Sequence, residues 1–235
     1  MSTLREARLV SARLLSANVR ELTIDPGPAF TFVPGQWVNL RVPGPEGAAP
    51  LVRAYSIASP PRADGTYDVA VTRVEGGPMS TWLHGLQPGA SLVQSHAQGF
   101  FTLPMVQRPL LFVATGTGIS PIRSMLLSPE LTEDAPIALL FGNRTAADIL
   151  YRDDFERLAA TRKGFVFAPT LSRADAGWTG RTGYVQTHLR EVVAALGGDC
   201  DAFVCGLQRM VGDVRNVLRK ELGLERGRVH TERYD

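Results

Sequence analysis

The chain has 235 residues, enough for one large domain or two compact ones with separate cores. Its 25 Lys and Arg against 23 Asp and Glu leave a net charge of +2, too weak to argue for nucleic acid, and no apolar run approaches the roughly 20 residues that span a bilayer. Cys200 and Cys205 cannot make a disulfide framework, and two cysteines cannot build a zinc or iron–sulfur site without other ligands, so no metal is expected. The first ten residues carry charges and no apolar h-region, so no signal peptide is expected and the cytoplasm is the expected compartment.

In chain order, β-rich segments fall over residues 8–15, 21–25, 37–42, 53–58, 67–74 and 91–93. Turn residues separate them at Pro26-Gly27-Pro28, Pro34-Gly35, Pro43-Gly44-Pro45, Asp64-Gly65, Gly76-Gly77-Pro78 and Pro88-Gly89. Short strands at this spacing predict an antiparallel barrel or sandwich. After Pro104 the pattern changes. Residues 109–115, PLLFVAT, form a continuous apolar run, as expected of a strand covered on both faces. A helix is expected over 119–127, a strand over 136–141, a helix over 153–160 and a strand over 165–170. A helix over 183–196, a strand over 201–205, a helix over 210–222 and a last strand over 229–231 complete the alternation. Such alternation predicts βαβ units and a parallel sheet, here of five strands flanked by helices. The boundary is expected near residues 102–108, dividing the chain into domains 1–104 and 105–235.

Thr115-Gly116-Thr117-Gly118-Ile119-Ser120-Pro121 follows a buried strand and opens a helix. Small residues here let backbone N–H groups approach a pyrophosphate, and the helix N-terminus favours its charge. Pro121 stands where the usual dinucleotide fingerprint has a third glycine. A tight βα turn is the plain alternative; the strand–turn–helix context favours the nucleotide reading.

Arg53-Ala54-Tyr55-Ser56 resembles the RxYS motif of the ferredoxin–NADP reductase family. Other signals follow in the same order along nearly the whole chain. Thr72-Arg73-Val74 with Gly76-Gly77-Pro78-Met79-Ser80-Thr81 is similar to the family's second flavin motif, and Gly116 to Pro121, with Thr117 and Gly118, to its nicotinamide-nucleotide turn. Cys205-Gly206-Leu207 looks like its late CG motif, and Glu232-Arg233-Tyr234 like its acidic–x–aromatic tail. The resemblance implies a six-stranded FAD-binding antiparallel barrel followed by a Rossmann-like NADP(H) domain. It implies hydride transfer between NADP(H) and FAD, and single-electron exchange with a ferredoxin or flavodoxin on another chain. A monomer is expected.

Each motif then has a physical job. Arg53 offers a fork of donors to phosphate oxygens, Tyr55 a flat face for the isoalloxazine, and Ser56 a hydroxyl near the flavin's reactive edge. In a strand Arg53 and Tyr55 share one face and Ser56 the other, so a local distortion is expected. Gly76, Gly77 and Ser80 would supply donors to the diphosphate, with a short helix opening at Met79. FAD is favoured over FMN on that motif. The stretch Ser95 to Phe101 matches the family only at Gly99 and a Phe, which leaves the adenine end of the flavin unassigned. The resemblance places Cys205 beside the nicotinamide, against the plain alternative of a buried small hydrophobe. It places Tyr234 over the flavin and gives Glu232 a part in proton supply or charge stabilisation, although Asp235 extends beyond the tyrosine. A frayed tail is the alternative there.

Arg144, the Ser172-Arg173 pair and Arg181 are expected in loops at strand carboxyl ends, where they resemble the 2′-phosphate-recognising residues of NADP members; Tyr184 would stack on adenine. Asp175 is a mild argument for NAD, whose ribose is bound by an acidic residue. Two other readings compete. Trp178 to Val185 also looks like NADH-using reductase components of multicomponent oxygenases. A non-catalytic flavin electron-transfer subunit of a larger complex is the third reading, though the expected cluster cysteines are lacking.

Overall fold

The computed structural model describes residues 4–44, 49–105, 108–132 and 135–234. Pro45, residues 106–107 of the expected boundary, and Asp235 lie outside the described residues. The chain divides into two units, residues 1–102 with 123–128, and residues 103–122 with 129–235.

In the first unit, β1 (Arg5–Ser16) turns into β2 (Val19–Asp25) through a two-residue hairpin, with Ser16 paired to Val19. Then come β3 (Trp37–Val42), β4 (Leu51–Ser56), β5 (Tyr67–Thr72), α1 (Pro78–Gly85) and β6 (Ser91–Gln94). The six strands are antiparallel in the order β4-β3-β6-β1-β2-β5. An Ile57–Val69 bridge joins the two edges, so the sheet closes on itself. The alternation of WVNLRV has a direct consequence: Val38, Leu40 and Val42 point into the core with Leu9, Leu22, Ile24 and Ile57. Tyr67 is fully buried because its hydroxyl donates to Gln94 Oε1 at 2.7 Å, and Phe30 stacks on its ring at 5.3 Å. Asp68 is also buried. It accepts from Arg62 Nη1 at 2.9 Å and from Thr23 Oγ1 at 2.9 Å, and lies 3.6 Å from Arg123. Arg123 in turn donates to the Ala58 carbonyl at 2.8 Å. A buried charge needs partners of this kind.

In the second unit, β7 (Leu110–Thr115) is followed by a 3-10 turn (Gly116–Gly118) and α2 (Ile119–Leu126), whose residues up to Ile122 belong to this unit. The series continues with β8 (Ile137–Asn143), α3 (Arg152–Thr161), β9 (Phe165–Leu171), β10 (Arg181–Thr182) and α4 (Leu189–Ala195). β11 (Asp201–Leu207), α5 (Gln208–Asn216) and β12 (Val229–Tyr234) complete it. The sheet is parallel, in the order β10-β9-β8-β7-β11-β12. Every residue from Leu110 to Ala114 is fully buried, as the apolar run requires. Leu111, Val113, Leu140 and Val204 pack against Leu189, Val193, Val211 and Val214 of α4 and α5. On the other face Phe112 meets Phe203, and Phe155 of α3 meets Phe141 and Phe167.

The sheet has six strands, one more than expected. The extra strand is β10, two residues long, paired with Thr170 and Leu171. The Gly183 N–H donates to the Leu171 carbonyl at 2.8 Å, and Trp178 Nε1 to the Arg181 carbonyl at 2.8 Å. These bonds hold the connection flat against the sheet edge. Among the described residues, no helix is long and apolar enough to cross a membrane, and no group of three or more His, Cys, Asp or Glu is placed to hold a metal.

Candidate functional site

In the first unit, Leu51 to Ser56 pair with Val42 to Trp37 as six consecutive pairs in unbroken register. The distortion expected at the RxYS segment is therefore not there. Arg53 and Tyr55 share the face of Leu40 and Val38, Ala54 and Ser56 the opposite one. Arg53 is exposed, and among the described residues its guanidinium donates to the neighbouring Val52 carbonyl, at 2.8 Å. Tyr55 is half-buried; burial raises its hydroxyl to about 12, and the Arg53 charge opposes that rise. Ser56 is buried.

The second flavin segment forms a turn and a helix. Thr72 ends β5, Val74 is exposed, and Gly76 adopts φ +68°, a conformation that favours glycine. Gly77 caps α1, Pro78 opens it, and Met79 is buried beneath it. The other end of α1 is anchored by Arg20, whose Nη2 donates to the Leu86 carbonyl at 2.8 Å. Its N-terminus is left open, with no acidic residue in the first turn. The Ser80 hydroxyl was expected to face a diphosphate. Instead it accepts from the Val74 N–H at 3.0 Å and donates within the same turn, with Gly77 O at 3.1 Å. It holds the turn, so the donors left at this end are the N–H groups of the first turn and the Thr81 hydroxyl, which is exposed. A cleft of about 570 Å³ opens there, lined by Gly76, Gly77, Thr81 and by apolar side chains including Trp82.

In the second unit the chain builds outward from β7 through β8 and β9 to β10, then returns to lay β11 and β12 on the other side of β7. The switch point is between β7 and β11, and ligands of open α/β sheets bind outside the carboxyl ends at such a point. The glycine turn ends β7 and Cys205-Gly206 lies at the end of β11, so the topology brings these two segments together. They touch. A Cβ on Gly118 would enter the Cys205 carbonyl group and lie 2.7 Å from Gly206 Cα. A Cβ on Gly206, whose φ is +147°, would meet Thr115 and lie 2.8 Å from Met210 Cε. Thr117 is half-buried, and Pro121 is buried in the first turn of α2. Beside the turn, the buried Oγ atoms of Thr115 and Ser120 have no hydrogen-bond partner among the described residues. Neither hydroxyl stood out in the sequence as a site candidate. Orphaned buried hydroxyls at a switch point fit a polar ligand.

Cys205 stands opposite Ala114 on one side and Glu232 on the other, and Leu207 opposite Tyr234. Side chains two residues apart share a face, so Cys205, Glu232 and Tyr234 gather on one side of the sheet. The tail does not fray; it is the edge strand β12. The thiol is pushed well above 9.0, first by burial and then by the Glu232 charge, while a hydrogen bond to Tyr234 opposes the rise. It is a protonated thiol, not a thiolate.

The arginines separate into two kinds. The Arg173 N–H donates to the Arg144 carbonyl at 2.8 Å and the Ser172 N–H to the Asn143 carbonyl at 3.0 Å, which sets Arg144 and Ser172-Arg173 side by side beyond β8 and β9. Both arginines are exposed, and neither side chain makes a hydrogen bond or ion pair among the described residues. Arg181 is different. It lies in β10 rather than a loop, and its Nη2 pairs with Glu191 at 2.6 Å. Asp175 is also committed: its carboxylate accepts from the Gly177 N–H at 3.0 Å and closes the turn. Tyr184 is 67% exposed and open to stacking.

A glycine turn at a parallel switch point, on a chain that begins with a closed antiparallel barrel and an open helix N-terminus, defines a flavin- and nicotinamide-nucleotide-dependent oxidoreductase. The oxidoreductase FAD-binding domain family matches residues 6–102, and the oxidoreductase NAD-binding domain family residues 112–216. Ferredoxin–NADP reductase B of Sorangium cellulosum is 49% identical over 98% of this chain and 97% of its own length. The chain belongs to the ferredoxin–NADP reductase family. The toluate 1,2-dioxygenase electron transfer component of Pseudomonas putida is 30% identical over 97% of this chain and 67% of its own length. A ferredoxin–NADP⁺ reductase from Neisseria gonorrhoeae, solved with bound FAD and NADP, shares the fold with a TM-score of 0.86 at 23% identity, covering 99% of each chain.

Proposed function

We propose that the protein passes a hydride between NADP(H) and FAD, and single electrons between FAD and a ferredoxin or flavodoxin on a separate chain. In this reading residues 1–104 hold FAD and residues 105–235 hold the nicotinamide nucleotide, and the enzyme works as a cytoplasmic monomer. The observation that carries it is the contact of Gly118 with Cys205-Gly206 at the switch point, with Glu232 and Tyr234 on the face of Cys205.

FAD, when bound, supplies a group that exchanges two electrons with a nicotinamide and single electrons with a partner. The chain's residues do the positioning. Arg53 binds phosphate, Tyr55 presents its ring, and Ser56 lends a hydroxyl. The first turn of α1 donates N–H groups to a diphosphate. Thr117, Gly118 and the N-terminus of α2 receive the nucleotide's pyrophosphate. Cys205, as a neutral thiol, packs beside the nicotinamide without repelling it. Glu232 stabilises the charge that hydride transfer shifts. Arg144, Ser172 and Arg173 select the 2′-phosphate, with Arg181 supporting the loop through Glu191.

The test is reduction of a ferredoxin, and separately of a flavodoxin, by the purified protein with NADPH or NADH. NADPH-driven reduction of either carrier supports the proposal. Activity with NADH alone favours an oxygenase-reductase role.

A further inference from the structure

A strand of two residues, such as β10, is too short to be held by its ladder alone, yet both carbonyl groups where the chain leaves it are claimed by side chains. His188 Nε2 lies 2.9 Å from the Thr182 carbonyl oxygen and 3.3 Å from Thr170 Oγ1. Thr170 Oγ1 in turn donates to the Gly183 carbonyl at 3.0 Å. A carbonyl only accepts, so Nε2 is the ring nitrogen that carries the proton. The Thr170 hydroxyl gives its own proton to Gly183, so it accepts from the same Nε2–H, and the bond is three-centred. Thr170 is fully buried in β9, and His188 is half-buried at the end of a 3-10 turn (Val185–His188) that leads into α4. The clamp therefore ties the exit of β10 to the buried part of the sheet.

The residue next to the clamp is Tyr184, 67% exposed. Its carbonyl accepts from the Thr187 hydroxyl at 2.8 Å and from the Thr187 N–H at 3.1 Å. Its backbone is held on both sides while its ring faces solvent. On the other side of the clamp Arg181 pairs with Thr170, two residues before Ser172-Arg173. Resting on the nucleotide reading above, we infer that His188 is a positioning residue for the nicotinamide nucleotide. Through Nε2–H it sets the Thr182–Gly183 step, and with it the direction in which Tyr184 meets the adenosine half. His188 acts through Tyr184 and touches no ligand itself. The role requires a donor at the position of Nε2 and does not require a charge.

The experiment compares two pairs of variants in the full chain with FAD bound: His188→Gln with His188→Asn, and Thr170→Ser with Thr170→Val. Gln places an N–H donor near the position of Nε2 and the shorter Asn does not; Ser keeps the hydroxyl, and Val keeps the shape without it. Steady-state constants with NADPH and ferricyanide separate KM from kcat, and the dissociation constant of 2′,5′-ADP reads the adenosine end without turnover. His188→Asn and Thr170→Val are expected to raise KM and the 2′,5′-ADP constant about 3- to 10-fold, the scale of one net hydrogen bond, with kcat held within about twofold. His188→Gln and Thr170→Ser are expected to restore both constants. The Thr170 pair answers the question if the histidine variants do not fold. A lower melting temperature with unchanged constants, a loss in kcat alone, or a His188→Gln no better than His188→Asn would overturn the assignment while leaving the proposed function intact. A wild-type flavin that neither NADPH nor NADH reduces would overturn the function itself.

Discussion

Gly118 and Cys205 are packed so closely that no side chain fits between them: a Cβ on Gly118 would lie 2.6 Å from the Cys205 carbonyl carbon. One residue opens the nucleotide helix and the other lies near the carboxyl end of the neighbouring strand. Their separation is set by backbone against backbone, so Gly118→Ala must displace one of the two segments. The expected cost is about 1–3 kcal/mol of stability, the scale of overpacking in a well-packed interior. Nicotinamide binding is expected to fall more steeply than FAD binding. Thermal melting together with separate affinities for NADPH and FAD checks this.

Arg173→Ala is expected to weaken NADPH by about tenfold or more and to leave NADH nearly unchanged, because a charge-assisted bond to the 2′-phosphate is lost. Arg181→Ala is expected to lower both affinities by a similar small factor, since its guanidinium is paired with Glu191. Steady-state constants with both nucleotides separate the two arginines. Equal losses in Arg173→Ala would remove it from 2′-phosphate recognition.

Cys205→Ser is expected to slow flavin reduction while FAD stays bound. Because the thiol is held well above 9.0, no break assignable to it is expected in the reduction rate between neutrality and pH 9. The sign for stability follows from the same shift. Below pH 9 the thiol is protonated in native and unfolded chains alike. Above it the unfolded chain releases the proton first, so stability declines with rising pH. Cys200, raised to about 11 chiefly by burial, adds to the decline between 9 and 11. Stopped-flow reduction across pH, with melts of the wild-type and the two serine variants, tests both statements.

Asp68→Ala removes the carboxylate shared by Arg62 and Arg123, the latter only 7% exposed, and takes the acceptor from the Thr23 hydroxyl. The expected destabilisation is about 3–5 kcal/mol, the range for breaking a buried pair by deleting one partner. Urea unfolding measures it. A change below about 1 kcal/mol would mean the arginine finds other partners.

Both architectures were legible in the sequence because their periods differ: WVNLRV alternates where one face is wet, and PLLFVAT does not where both are covered. The edge strand Arg181–Thr182 was not legible, since two residues carry no period and its pairing depends on Trp178 and Gly183. Ser80 and Arg181 were read as ligand-facing because sequence gives residue type and not the direction of a hydroxyl or guanidinium; local partners claimed both. Asp175 misled in the same way. The regular pairing of β4 was hidden by the assumption that Arg53, Tyr55 and Ser56 converge. Thr115 and Ser120 became visible only once burial left their hydroxyls without partners.

The most direct test of the account is an anaerobic absorbance titration of the purified yellow protein with NADPH and, separately, with NADH. Rapid bleaching of the flavin by NADPH and slow bleaching by NADH is the predicted result. Equal or faster bleaching by NADH, or a colourless protein that takes up no added FAD, would contradict it.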